Sequence, residues 1–390
     1  MIDRLIARGM IALCVVVNGC LELVRMLLWP RRRPKVARRV CVYRNGQVGD
    51  TICALPAMWA IRKAYPDAHL TLLTTPVIRD LPSAKDILDG VDWIDEIKVY
   101  YKDEIDTFAK SLRFLSDLRH KPFDVWIELP IETAGPRRLL RNMLAARIAG
   151  SRWGCGWLAS FLPFAVQTQA EYQQQFPNEV ERLLELLRRY DLDPDREVVF
   201  PLPIGTRQKE KVDRLIDEYS LNSSRLVAIA PSAKREPNRW PPERFVNVGR
   251  HLVSLGFKVI LIAGPGDRPL CEEVAQGIGL DAFNLSGLTS INESCELLRR
   301  CELLICNDSG VQHMAAAVGT RCLALFSARD MPGKWSPYGT QNVVLRKWVE
   351  CHTCLAEKCP RENLCMKLIT VEEVIAAFDS KLEQCEGKAA

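Results

Sequence analysis

Two stretches of this 390-residue chain carry residue types that could move a proton and hold an anion. The first is Arg44-Asn45-Gly46-Gln47-Val48-Gly49-Asp50-Thr51. Its glycines let the backbone turn tightly and approach a ligand. Asp50 falls at or near the N-cap of the helix that follows, where the macrodipole suits a carboxylate. A carboxylate facing a cleft can accept the proton of an attacking hydroxyl; an ordinary capping aspartate is the competing reading. The second stretch is Asn307-Asp308-Ser309-Gly310-Val311-Gln312-His313, running into Met314-Ala315-Ala316-Ala317. A buried strand turning into an Ala-rich helix leaves free N–H groups that suit a pyrophosphate. Gly310 lets the phosphate approach. His313 lies one turn in from Ser309 and either bonds a phosphate or sugar or is a core histidine.

The elements that must position these stretches alternate. Val40-Cys41-Val42-Tyr43 reads as a buried strand, followed by a helix over 52–65. Strands over 70–73, 97–100 and 124–129 and helices over 105–119 and 179–190 continue the rhythm. The Pro- and charge-rich stretch 193–205 reads as a linker, with a helix over 206–219 after it. The alternation then restarts: strands over 226–230, 258–262, 303–306 and 322–326, helices over 242–255, 268–278, 290–300 and 309–318. Short apolar runs between such helices predict an α/β fold with parallel sheets. Two such halves in tandem predict two Rossmann-like domains facing a central cleft, with ligands at the carboxyl ends of the strands. The expected division is an N-terminal segment 1–38, a first Rossmann-like domain 39–205, a second 206–348, and a Cys-rich segment with a C-terminal helix over 349–390.

Charge and cysteine are unevenly spread. The net charge of +5 is mild, but Arg31, Arg32, Arg33, Lys35, Arg38 and Arg39 cluster, as do Arg137, Arg138, Arg141, Arg147 and Arg152. No Asp or Glu lies between Glu132 and Glu171. These fields suit anionic partners, although a solvated helix face also accounts for the second cluster. With no recognised nucleic-acid module, a nucleic-acid partner is not expected. The apolar run 5–29, broken by Arg8, Asn18, Glu22 and Arg25, is too interrupted for the ~20 apolar residues of a spanning helix. It predicts a helix lying on an anionic membrane surface; a signal anchor, a docking helix of the fold and a faint lipoprotein-like site at Cys20 are the alternatives. Most of the 15 cysteines sit in apolar runs and read as buried thiols of a reducing compartment. Cys351, Cys354, Cys359 and Cys365 are different: four thiols within fifteen residues suggest structural zinc, an iron–sulfur cluster, disulfides or unligated thiols.

The two opening stretches resemble signatures of the ADP-heptose:lipopolysaccharide heptosyltransferase family, glycosyltransferase family 9. Arg44, Gly49, Asp50, Pro56, Arg62, Tyr65, Pro66 and Ala68 match its N-terminal run, and Asn307-Asp308-Ser309-Gly310 with His313 and the alanines its C-terminal run. Ala230-Pro231-Ser232-Ala233-Lys234 with Arg239-Trp240-Pro241, Gly264-Pro265-Gly266-Asp267 and Leu285-Ser286-Gly287-Leu288-Thr289 match further turns, in order, over 40–337.

The resemblance implies a GT-B fold and an inverting transfer of a sugar, heptose by default, from a nucleotide-diphosphate sugar, ADP-heptose by default. The acceptor would be a lipopolysaccharide-core or other anionic lipid-linked glycan, and no cofactor takes part in the chemistry. By position, Asp50 is the expected base. Ser232, Lys234, Arg239, Asp267, Leu288, Asp308, Ser309, Gly310 and His313 are the expected donor contacts. Gly49, Arg137, Arg138 and Arg141 are the expected acceptor contacts. The expected location is the cytoplasmic face of the inner membrane, as a peripheral monomer. Two positions depart from the family pattern: Asn238 stands where many members have lysine, and Ser327 where a glycine is common. The phosphate-neutralising role of the missing lysine is expected to pass to Lys234 or Arg239. The rivals are a non-catalytic nucleotide-sugar-binding protein, a family member with another donor sugar, and a dehydrogenase. The last lacks the third fingerprint glycine.

Overall fold

Val40, Cys41 and Val42 are fully buried, as expected of a strand inside a parallel sheet covered on both faces. They form β1 (Arg39–Tyr43), flanked by β2 (His69–Thr74), β3 (Glu96–Val99), β4 (Val125–Glu128) and β5 (Trp153–Cys155). The order is β3-β2-β1-β4-β5 and every pairing is parallel. The computed structural model describes residues 2–76, 82–131, 135–159, 176–193 and 196–386. Part of the acid-free stretch, 133–134 and 160–170, therefore lies outside the described residues. The chain divides into two units, Met1–Glu171 with Glu179–Pro203, and Tyr172–Asn178 with Ile204–Ala390.

The first unit's helices are α1 (Ile2–Leu28), α2 (Val48–Ala64), α3 (Ala84–Ile87), α4 (Phe108–Arg119), α5 (Pro136–Ile148) and α6 (Glu179–Arg188). Helix α2 buries ten side chains and packs against α6. Helix α1 is turned inside out relative to a helix that faces water. Its polar side chains grip the domain: Asn18 exchanges two hydrogen bonds with the Ala159 backbone, at 2.7 and 3.0 Å. Arg25 donates to Glu22 and to the Gly154 carbonyl. Just beyond the helix, Trp29 stacks on Trp157 with ring centroids 5.1 Å apart and donates to the Ser151 carbonyl. Its apolar side chains Leu13, Val15, Val16, Leu23, Met26 and Leu27 are left exposed. Among the described residues no helix is long and apolar enough to cross a membrane.

The second unit runs α7 (Thr206–Glu218), β6 (Arg225–Ala230), α8 (Pro242–Ser254), β7 (Phe257–Leu261), α9 (Arg268–Ile278), β8 (Ala282–Asn284), α10 (Ile291–Arg299) and β9 (Leu303–Asn307). It ends with α11 (Gly310–Ala317), β10 (Arg321–Phe326), β11 (Val343–Arg346), α12 (Leu364–Lys367) and α13 (Val371–Glu386). Its sheet has the order β11-β10-β9-β6-β7-β8, again all parallel. Helix α13 packs on α8, where Phe378 meets Phe257 edge to face.

In each sheet the strand order reverses beside the first strand, at β1/β4 and at β6/β9. Loops that leave the carboxyl ends of strands at such a reversal diverge and open a crevice. The sequence stretches singled out for chemistry are the loops that leave these strands.

Candidate active site

In the first unit, the helix after β1 starts at Val48, four residues earlier than its apolar periodicity predicts. Gln47 is the cap, and Asp50 is the third helical residue rather than the N-cap. Asp50 Oδ2 accepts from the Gln47 N–H at 3.0 Å, which closes a capping box and starts the helix early. The side chain of Asp50 is 28% exposed, and its Oδ1 lies 3.9 Å from Arg44 Nη2. One carboxylate oxygen is thus held by backbone while the other, in a partly exposed side chain, has the Arg44 guanidinium 3.9 Å away. Gly46 is required at this turn: its φ is +155° and an added Cβ would come within 2.3 Å of Asp50 Cβ.

Arg44, part of the same motif, is a buried positioning residue. Its Nη1 donates to the carbonyls of Leu129 and Pro130, both at 3.2 Å, and its Nη2 to the Asp50 carbonyl at 3.1 Å. Its charge is balanced by Glu179 at 3.1 Å, both side chains being 1% exposed. Arg182 closes the network by donating to both Glu179 oxygens and to the Pro130 carbonyl. Removing one member of such a buried pair typically costs ~3–5 kcal/mol. The sequence gives no sign that Glu179, 135 residues away, is Arg44's partner.

Of the expected acceptor contacts, Gly49 is in the first turn of α2. Arg137, Arg138 and Arg141 are in the first turns of α5, whose buried face is Leu139, Asn142, Met143 and Ala146. Arg137 is exposed, and Arg141 donates to Asn142 Oδ1 at 2.9 Å.

In the second unit, Ser232 and Lys234 follow β6, and Asp308, Ser309 and Gly310 follow β9, so both groups flank the strand-order reversal. Asn307, a buried residue with no expected role, ties these loops together. Its Nδ2 donates to the Pro231 carbonyl at 2.7 Å and its Oδ1 accepts from the Trp240 N–H at 3.0 Å. Ser309 caps α11, and its buried Oγ has no hydrogen-bond partner. A buried hydroxyl left open beside the free N–H groups of a helix start suits an incoming anion. His313 is buried on α11 and meets Trp335 edge to face at 6.2 Å.

The two departures from the family pattern touch each other. Ser327 Oγ donates to Asn238 Oδ1 at 2.6 Å, and Asn238 Nδ2 donates to Asp308 Oδ2 at 3.0 Å. A neutral amide, held from behind by the Ser327 hydroxyl, thus meets Asp308 where a lysine would bring charge. Burial, reinforced by Asp330, pushes the Asp308 carboxyl up to about 6, against the pull of Arg346, Arg329 and the Gln312 hydrogen bond. Arg239 is exposed, with its Nε given to the Ala233 carbonyl at 2.8 Å. Asp267 precedes α9, and Leu288 is half-buried in the turn after β8.

Cys365 is buried, Cys351 and Cys359 half-buried and Cys354 exposed. Burial raises the Cys365 thiol, and the nearby Cys359 and Cys351 raise it further. Among the described residues no three His, Cys, Asp or Glu side chains are placed to hold a metal.

Residues 112–365, more than half of the chain, match the family described as glycosyltransferase family 9 (heptosyltransferase). Lipopolysaccharide heptosyltransferase 3 of Escherichia coli K12 is 26% identical over 352 residues, which is 86% of this chain and 96% of that protein. Lipooligosaccharide heptosyltransferase 2 of Haemophilus influenzae is 27% identical over 202 residues; the match takes in 49% of this chain and only 58% of that relative. The solved structure of E. coli ADP-heptose lipopolysaccharide heptosyltransferase II superposes with a TM-score of 0.63 at 20% identity, covering 89% of this chain and 99% of the other. That likeness shows the fold, two Rossmann-like α/β domains of the GT-B type. With its motifs in order and the family matched across most of its length, this chain belongs to glycosyltransferase family 9, the heptosyltransferases.

Proposed function

We propose that this glycosyltransferase moves heptose, with inversion, from ADP-heptose to a lipopolysaccharide-core or related lipid-linked glycan. The observation that carries the reading is the partly exposed Asp50 carboxylate, held through Oδ2 by the helix start with Oδ1 3.9 Å from the Arg44 guanidinium. Asp50 takes the proton of the acceptor hydroxyl as the bond to the anomeric carbon forms. The departing nucleoside diphosphate is stabilised by the start of α11, with Ser309, Gly310 and His313, and by Lys234 and Arg239. Ser232, Asp267, Leu288 and Asp308 complete the proposed donor contacts. A positioned base contributes ~10²–10⁴-fold. Release of ADP from ADP-heptose in the presence of acceptor is the test. Asp50→Asn and Asp50→Ala are expected to lose turnover by that factor and to keep donor affinity. Near-wild-type turnover in Asp50→Asn refutes the base role.

A peripheral position on an anionic bilayer is part of the same proposal. Helix α1, with its outward apolar residues, packs against α5, which also packs against α4 and exposes Leu140, Leu144 and Ile148. Phe108 and Leu112 are exposed on α4, and Arg31, Arg32 and Lys35 lie exposed just beyond α1. Apolar side chains rimmed by arginines suit headgroups above and acyl chains below. For Cys351, Cys354, Cys359 and Cys365 the proposal is a structural zinc or iron–sulfur site, supported by their spacing and by the nearness of Cys351 and Cys359 to Cys365. Elemental analysis of the purified protein checks it, and less than one equivalent of metal refutes it.

A further inference from the structure

We propose that Lys234, Arg235 and Arg329 in the second unit form a phosphate-binding site that Glu357 fills as an internal counter-ion, and that the diphosphate of an arriving nucleotide takes the place of the Glu357 carboxylate. The proposal rests on the transferase reading, in which Lys234 faces the donor, and adds to it two cations and a built-in competitor. Lys234 and Arg235 lie in the loop after β6, and Arg329 in the loop after β10. Strands β6 and β10 flank β9, whose own loop leads into α11. Hydrogen bonds join the three loops: Ser327 Oγ donates to Asn238 Oδ1, and Asn238 Nδ2 to Asp308 Oδ2. The cations thus belong to the two loops tied to the one that starts α11, the helix proposed to hold the diphosphate.

Glu357 is where these cations meet. Its carboxylate accepts a hydrogen bond from Arg235 Nη1, and its Oε1 lies 3.8 Å from Arg329 Nη2. Arg235 above all, then Arg329 and Lys234, hold the Glu357 carboxyl below the usual carboxylate range. One carboxylate does not balance three cations. Asp330, also beside Arg329, lies 4.0 Å from its Nη1 but 3.8 Å from Lys334 Nζ as well, so its charge is shared. A diphosphate brings more negative charge and more acceptor oxygens than a carboxylate, and guanidinium forks suit phosphate oxygens.

The carboxylate can leave without unravelling its surroundings. Its side chain is 75% exposed, so it moves directly into water, and ion pairs so exposed are weakly held. The segment that carries it is fixed by other bonds. The Thr353 N–H donates to the Ala328 carbonyl at 2.7 Å and the Leu355 N–H to the Arg329 carbonyl at 3.1 Å. Arg329 returns two, from Nε to the Ala356 carbonyl at 2.8 Å and from Nη2 to the Leu355 carbonyl at 2.9 Å. Thr353 and Leu355 sit at φ +49° and +52°, a left-handed conformation that residues with side chains adopt only where partners pin them. Arg329 is thus buried and fixed, whereas Glu357 and Lys234 are exposed and Arg235 is half-buried.

The test titrates the full chain with ADP, inorganic pyrophosphate and adenosine, read by calorimetry and ligand-observed NMR. Glu357→Gln is expected to tighten ADP and pyrophosphate by roughly two- to fivefold and to leave adenosine unchanged. A carboxylate that merely held the loops together would give the opposite sign, because its loss would weaken ADP. Arg235→Gln and Lys234→Gln, both on the surface, are expected to weaken ADP and pyrophosphate by a similar factor. Unchanged or weaker ADP binding in Glu357→Gln, an equal gain for adenosine, an Arg235→Gln variant that binds ADP as wild type, or a wild-type chain that binds neither ADP nor pyrophosphate overturns the proposal. These readouts need no transfer. A Glu357→Gln chain that shows the gain while wild type releases no ADP from ADP-heptose with acceptor sinks the transferase reading and leaves the phosphate site standing. Wild-type turnover beside a Glu357→Gln variant without the gain does the reverse.

Discussion

Glu128, the last residue of β4 and 2% exposed, offers a test of the first unit's electrostatics through stability alone. Its folded carboxyl titrates at about 7 against an ordinary 4.5, because burial disfavours the charged form. A carboxyl raised on folding leaves stability intact below its unfolded value and takes it away as pH climbs through the folded one. The gap of roughly 2.5 pH units corresponds to about 3 kcal/mol, lost across the window from about pH 4.5 to about pH 7. Glu128→Gln cannot ionise and keeps an acceptor for Asn142, so it escapes the loss. Denaturant unfolding followed by tryptophan fluorescence reports mainly on the first unit, which holds Trp29, Trp59, Trp93, Trp126, Trp153 and Trp157 against Trp240, Trp335 and Trp348 in the second. The variant should differ from wild type by under ~1 kcal/mol near pH 5 and be more stable by about 3 kcal/mol near pH 8.5. A stability difference that stays constant between those pH values would show that Glu128 is not held neutral by burial.

Three other outcomes are expected. Gly46→Ala drives a Cβ into Asp50, so turnover should fall at least ~10-fold while donor affinity holds; unchanged turnover would mean that Asp50 is not needed in this position. Asn238→Ala and Ser327→Ala should each weaken donor binding, and the double variant should weaken it by less than the sum, with a coupling of ~0.5–3 kcal/mol measured calorimetrically. Strict additivity would show that their 2.6 Å contact does not shape the donor site. Leu23→Glu with Leu27→Glu should abolish co-sedimentation with vesicles containing phosphatidylglycerol, and wild-type binding to the same vesicles should fall with added salt. Binding that ignores both changes would remove α1 as the docking element.

Much of the fold was readable because its strands are uniform apolar runs. The apolar runs 258–262 and 322–326 each fall within one residue of the observed β7 and β10. The misses have local causes. Strand β5 is only Trp-Gly-Cys and β8 only Ala-Phe-Asn, too short to show a period. Helix α5 hides its apolar stripe among arginines. Helix α2 starts before its apolar periodicity shows, because Gly46 and Gly49 look like breakers while the Gln47–Asp50 capping box begins the helix between them. At the candidate site, the motif residues could be read but not their partners. Glu128 reads as an ordinary strand residue, and the burial that raises its carboxyl is visible only in the fold. Likewise Asn238 and Ser327 stood out as two separate exceptions, 89 residues apart, and their hydrogen bond makes them one.

The reversed first helix also sets the terms on which this protein can be handled. Trimming it away to obtain a better-behaved sample would strip Leu13, Val16, Leu23 and Leu27 from the exterior. The same cut would take the Asn18 side chain from the Ala159 backbone and remove the segment that leads Trp29 onto Trp157. The piece with the exposed apolar side chains is thus also bonded to the first unit through Asn18 and, just beyond its end, Trp29. A shortened chain should trade stickiness for fragility, whereas polar replacements on the outer side of the intact helix should relieve the one without incurring the other.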